Sequence, residues 1–150
     1  MVMAPTDVAG LTDAVTRLRR ALRASIRTAI DWETLPMAQV EVLLSLADHS
    51  PARVSDLAER LHLAPSTASG LVALLLRAGL VGRDVNPDDR RASVVTITPV
   101  GADELRKWTQ AHVARIGDAL DALPAGQRQA VIDAVPALRA LATALVDQAG

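Results

Sequence analysis

The chain has 150 residues, half of them hydrophobic, and a formal net charge of −1. Without a single cysteine it builds no disulfide scaffold, no thiolate metal site and no thiol-based redox sensor. No run approaches the roughly 18 apolar residues that a membrane span needs, and the opening MVMAPTDVAG lacks the basic start and apolar run of a secretory leader, so the expected location is the cytoplasm.

The available core is chemically narrow. Phe and Tyr are absent, and Trp32 and Trp108 are the only large aromatics, so Leu, Val and Ala must fill the interior. Small side chains let helices pack closely. Lys107 is the only lysine; the other basic residues are arginines. Their forks suit phosphates and base edges, but genomic base composition produces the same bias. The near-neutral net charge weighs mildly against nucleic-acid binding.

Leu11, Val15, Leu18, Leu22, Ile26 and Ile30 recur mostly at three or four residues and predict an amphipathic helix over 11–30. Arg17, Arg19, Arg20, Arg23 and Arg27 take its other faces, as solvated surface or as contacts for DNA backbone or an anionic effector. After a break at 31–36, Val40, Leu43, Leu44 and Leu46 predict a helix over 37–47, ended by the turn chemistry of Asp48-His49-Ser50-Pro51. Two short helices follow. The first covers 55–61, with Ser55 as N-cap and Leu57, Ala58 and Leu61 turned inward. The second runs from Pro65, suited to a first helical position, to about Ala78, with Gly79 as the stop. The period then changes. Leu80-Val81 and Ser93–Thr98 read as strands around the polar tip Asn86–Arg91. Pro99 opens a long helix through Leu105, Trp108, His112, Ile116, Ala119 and Leu123, close to a heptad repeat. Pro124 opens a last one through Val131, Val135, Leu138, Leu141 and Leu145, which Pro136 should kink. The fold class is mainly α with a small β-wing.

Two short helices joined by His62-Leu63-Ala64 and followed at once by a charged hairpin describe a helix-turn-helix with a wing. In that module the first helix braces the second, whose N-terminal end enters the major groove, while the hairpin reaches the neighbouring minor groove. Any two packed helices mimic a helix-turn-helix; the wing at this spacing is what makes the pattern informative.

Asp88-Asp89-Arg90-Arg91, then Val95, Thr98 and Gly101, resemble the wing signature of the MarR family of winged helix-turn-helix regulators, approximately D-x-R, a short strand, then L-T-x-x-G. Leu80-Val81 with Arg83, Gln39 with Leu43, and Leu57-Ala58 match further family positions, so the resemblance spans nearly the whole chain. It implies one domain over 1–150, with a DNA-reading part at about 36–98 and dimerisation helices at about 8–30 and 100–148. Packing of the terminal helices on each other within a monomer is the competing arrangement. The resemblance also implies a homodimer on a pseudo-palindromic double-stranded operator, most commonly as a repressor. Arg90 and Arg91 match wing arginines, one of which enters the minor groove and senses its width. Asp89, with Asp88 as the second candidate, matches the aspartate that pairs with such an arginine; the alternative is a solvated turn. Pro65, Ser66, Thr67, Ser69 and Gly70 stand at the groove end of the recognition helix, with Arg83 nearby. One departure is plain: where many members carry charged residues, this chain has Gly70, Ala73, Leu74 and Leu76, and Arg77 comes only near the far end. The family often binds small aromatic effectors in a cleft, for which Trp32, Met37, Trp108 and His112 are candidates; each also reads as ordinary core or interface.

Other classes have less behind them. There is no glycine-rich phosphate loop, and His49, His62 and His112 have no motif-like acid or nucleophile beside them, so no enzyme, cofactor or metal site is expected. A metal-sensing winged helix needs clustered ligands, and these histidines are scattered. A protein-interaction dimer that has lost DNA binding is the stronger rival: the uncharged recognition helix favours it and the paired wing arginines oppose it.

Overall fold

The computed structural model describes residues 5–27, 35–86, 88–89 and 92–148, and the chain divides into two units, residues 1–34 and 35–150. The first unit contains α1 (Pro5–Arg27), which starts a turn and a half before the expected residue 11. Asp7 lies in its first turn, where a negative charge complements the helix dipole. Val8, Leu11, Val15 and Leu18 are exposed. Arg17 pairs with Asp13 one turn away at 2.6 Å, a solvated contact of little energetic weight. The predicted continuation to residue 30 lies outside the described residues.

The second unit runs α2 (Met37–Asp48), α3 (Val54–Arg60), α4 (Pro65–Arg77), β1 (Val81–Val85), β2 (Ser93–Ile97), α5 (Pro99–Asp121), α6 (Ala125–Asp133) and α7 (Val135–Asp147). Its core is wholly aliphatic, as the composition requires. Val40, Val42, Leu43 and Leu46 of α2 meet Leu57 of α3, Val72 and Leu75 of α4, Leu80, Val81 and Val95 of the hairpin and Leu105 of α5. On α2, Val42 is buried and Leu44 is exposed, so the inward stripe differs by one residue from the expected one.

The strands pair antiparallel from Val81 opposite Ile97 to Val85 opposite Ser93. A third backbone segment joins them. Ala52 donates to the Val95 carbonyl at 3.0 Å and accepts from its amide at 2.7 Å, so β2 is flanked on both edges where it meets the core. A one-residue bridge has no periodicity for a sequence to reveal.

Helix α3 begins at Val54, and Ser55 lies inside it instead of capping it. The Asp56 carboxylate caps the start by accepting from the Arg53 amide at 3.0 Å; arginine has no side-chain acceptor to complete a reciprocal box. The turn into α4 closes with two bonds: the His62 amide donates to Glu59 O at 3.1 Å and the Leu63 amide to Ala58 O at 2.8 Å. This double closure needs a left-handed residue after the last helical one, and His62 supplies it at φ 51°. The αL conformation costs a side-chain-bearing residue about 1–2 kcal/mol, while glycine adds unfolded-state entropy that offsets part of any gain. His62→Gly should therefore raise stability by a few tenths to about 1 kcal/mol in denaturant unfolding. A loss of more than about 1 kcal/mol would show that the His62 side chain holds the turn in some other way.

The same closure ends α4, with Gly79 at φ 71°, its amide donating to Leu76 O and that of Leu80 to Leu75 O. Thr98 locks this corner to α5. Its hydroxyl donates to Gly79 O at 2.7 Å and accepts from the Gly101 amide at 3.0 Å, while its own amide donates to Leu80 O at 3.1 Å.

At the far end, the Arg128 guanidinium donates to Leu120 O at 3.1 Å and Asp121 O at 3.5 Å, the last carbonyls of α5, and to Leu123 O at 3.3 Å in the turn beyond it. The kink expected at Pro136 is a break at Ala134, bending α7 from α6 by 42°. Proline has no amide to continue the ladder, and its ring excludes the carbonyl four residues back. Neither α6 nor α7 contains a buried residue. Val131, Ile132, Val135, Leu138, Leu141 and Leu145 are all exposed. Among the described residues no single helix is long and apolar enough to cross a membrane; α6 and α7 reach that length only together, across the bend.

Candidate nucleic-acid interface

Helix α4 presents two unlike faces. Ala68, Val72 and Leu75 are buried, four and three residues apart, against α2 and α3. Pro65, Ser66, Thr67, Ser69 and Gly70 are exposed at the N-terminal half, and Leu74 and Arg77 farther along. The N-cap is Ala64, which offers no side-chain acceptor to the first-turn amides. The exposed end of α4 thus carries hydroxyls and backbone donors but no charge.

Hairpin β1–β2 follows α4 directly. Arg83 is exposed on β1, opposite Val95. The tip is tightly closed: Asn86 Oδ1 accepts from the Asp88 amide at 3.0 Å, an Asx turn, while Asn86 N donates to Ala92 O and Ala92 N to Asp89 O, both at 2.9 Å. Pro87, Arg90 and Arg91 lie outside the described residues. Asp89 Oδ2 is 3.8 Å from Arg53 Nη2, with both side chains about half exposed. Arg53 was not singled out from the sequence, where it reads as a loop residue before α3. An exposed pair of this kind contributes at most about 1 kcal/mol. Its consequence is positional, since it joins the wing tip to the start of α3.

The expected effector residues separate. Trp32 lies outside the described residues, and Met37 is exposed. Trp108 packs half-buried against the core. His112 stacks on it with ring centroids 3.7 Å apart and planes 30° from parallel, its Nδ1 2.9 Å from Trp108 O. One turn before, Lys107 reaches Asp103 at 3.0 Å and Glu104 at 2.9 Å. Those hydrogen bonds, first to Glu104 and then to Asp103, raise the Lys107 ammonium above its ordinary pKa, and the bond from Lys107 lowers the Asp103 carboxyl. Both side chains are partly exposed, so the pair is screened by solvent. Among the described residues no group of three His, Asp or Glu side chains is arranged to hold a metal ion.

The arrangement of α2–α4 and the hairpin matches known proteins. The MarR family model matches residues 35–93. YfiV of Bacillus subtilis, an uncharacterized HTH-type transcriptional regulator, is 31% identical over 124 residues, spanning 81% of this chain and 78% of its own. The structure of RV1404 from Mycobacterium tuberculosis superposes with a TM-score of 0.78 at 26% identity, covering 95% of this chain and 97% of that one. The structure of Bordetella bronchiseptica BpsR, whose DNA binding is regulated by 6-hydroxynicotinic acid, superposes at 0.61 with 22% identity, over 85% and 91% of the two chains. With the winged helix in place and a relative of this identity and coverage, the chain belongs to the MarR family of HTH-type transcriptional regulators.

Proposed function

We propose that two copies of this chain bind a pseudo-palindromic DNA operator and repress transcription by occluding the promoter. The observation that carries the reading is the exposed, hydroxyl-bearing start of α4 beside a closed charged hairpin, both built on one aliphatic core. In this reading residues 36–98 form the DNA-reading part. Pro65, Ser66, Thr67, Ser69 and Gly70 meet the major groove, and Arg83, Arg90 and Arg91 follow the backbone and minor groove. Asp89 orients the tip. The helices at 8–30 and 100–148 join the two copies, and the exposed apolar stripe of α6 and α7 supports this, because such a surface needs a cover. A small aromatic ligand, as in BpsR, would act through Trp32, Met37, Trp108 and His112; the stacked Trp108–His112 pair is the part of that set which the geometry favours.

The wing supplies the test. Arg90→Ala and Arg91→Ala remove no apolar side chain and should change thermal stability by no more than about 0.5 kcal/mol. At least one should weaken operator binding by tenfold or more in a direct titration. If both bind like wild type, the wing does not contact DNA. If wild type binds no duplex, the uncharged face of α4 belongs to a protein-interaction dimer instead.

A further inference from the structure

The outward face of α4 contains one exposed large apolar side chain that the hydroxyl contacts leave unexplained. Leu74 is 42% exposed on a helix whose inward stripe is already complete with Ala68, Val72 and Leu75. A lone exposed leucine on general protein surface means nothing, but this one shares a helix face with Ser66, Thr67 and Gly70, the surface proposed to enter the major groove. Helical side chains lean toward the N-terminus and cover the preceding turn. Leu74 therefore overlies the turn of Gly70, toward the groove end of the helix. The ground there is open: a Cβ on Gly70 would meet nothing within 4 Å.

Chemistry narrows what such a surface recognises. Between Pro65 and Leu76 there is no Arg, Lys, Asn or Gln to form a bidentate bond to a purine edge. In the major groove the one apolar feature of a base pair is the C5-methyl group of thymine. We infer that Leu74, over the gap left by Gly70, is a specificity-determining residue that reads a thymine methyl group in each half-site. The inference rests on α4 being the recognition helix. It assigns to an apolar contact the discrimination that this helix cannot obtain from charged forks.

The test uses the full-length protein and duplexes that it recovers by selection from a random-sequence pool. Each thymine of a recovered duplex is replaced in turn by deoxyuridine, which removes the methyl and leaves every hydrogen bond intact. At one major-groove thymine per half-site the change should weaken wild-type binding about fourfold, the ratio associated with burying one such carbon. In Leu74→Ala the same replacement should change affinity by less than about twofold, while Leu74→Met should keep most of the sensitivity because its apolar reach is similar. Leu74 is exposed, so circular dichroism and melting should show all variants folded. Uracil silent at every position in wild type, or an undiminished penalty in Leu74→Ala, would overturn the inference while leaving DNA binding intact. Recovery of no duplex at all would overturn the DNA-binding reading and this inference with it.

Discussion

Replacing Gly101 with alanine should destabilise the protein by on the order of 3 kcal/mol or more, enough to prevent folding of a marginal domain. A Cβ at this position would stand 1.9 Å from Leu80 O, 2.8 Å from Leu80 C and 3.1 Å from Ile97 Cγ1. The first two are backbone atoms that cannot rotate away. Leu80 is held from several directions: its amide donates to Leu75 O, its carbonyl accepts from the Thr98 amide, and the neighbouring Gly79 carbonyl accepts from the Thr98 hydroxyl. Moving it breaks the end of α4, the entry to β1 and the cap of α5 together. Gly70→Ala is the matched control. It makes the same chemical change in open space inside a helix, and should raise stability by roughly 0.5–1 kcal/mol. Denaturant unfolding of both variants checks the pair. A Gly101→Ala protein as stable as wild type would mean that this corner is looser than its hydrogen bonds require.

Leu138→Asp should convert the proposed dimer from about twice the 15.8 kDa chain mass to the mass of one chain, read by light scattering at micromolar concentration. Val135, Leu138, Leu141 and Leu145 recur at three or four residues along one side of α7, and all are exposed. Two such faces meeting in a symmetric dimer would bury each carboxylate without a partner. Burying an unpaired charge costs several kcal/mol even after relaxation, and two-fold symmetry applies that cost twice. Because Leu138 is 44% exposed and contributes nothing to the core of its own chain, Leu138→Asp should remain helical. A variant that keeps twice the chain mass would place the interface elsewhere.

Much of this architecture could be read from the residues. Three-and-four periodicity located the helices, the change to β-branched runs after Gly79 located the hairpin, and Pro136 marked the break between α6 and α7. What the sequence pattern missed concerns single residues whose role is set by particular partners, some near in the chain and some distant. Ser55 has the right chemistry for an N-cap, but α3 starts one residue earlier, with Arg53 at the N-cap position and the Asp56 carboxylate bonding its amide. Ala52 joins β2 through two backbone bonds that no side-chain pattern records. Leu44 and Val42 exchange places because α2 packs against α3, α4, α5 and β2, leaving a simple amphipathic stripe too narrow. The exposed start of α4 follows from its buried stripe, so the exposure of Ser66, Thr67 and Ser69 was legible. Arg53 was not: nothing in a lone arginine after Pro51-Ala52 signals that the turn at the far end of the hairpin brings Asp89 within 3.8 Å of it.

Selection of duplexes from a random-sequence pool by the wild-type protein, at low and then physiological salt, tests most directly whether α4 and the wing of a dimer read DNA. The recovered sequences should share an inverted repeat whose half-site centres lie about one helical turn, roughly 10 base pairs, or a multiple of it apart. Affinity for them should fall steeply with salt as counterions cease to be released to advantage. A pool no more enriched than its starting mixture at low salt, or recovered sites without two-fold symmetry, would contradict the account.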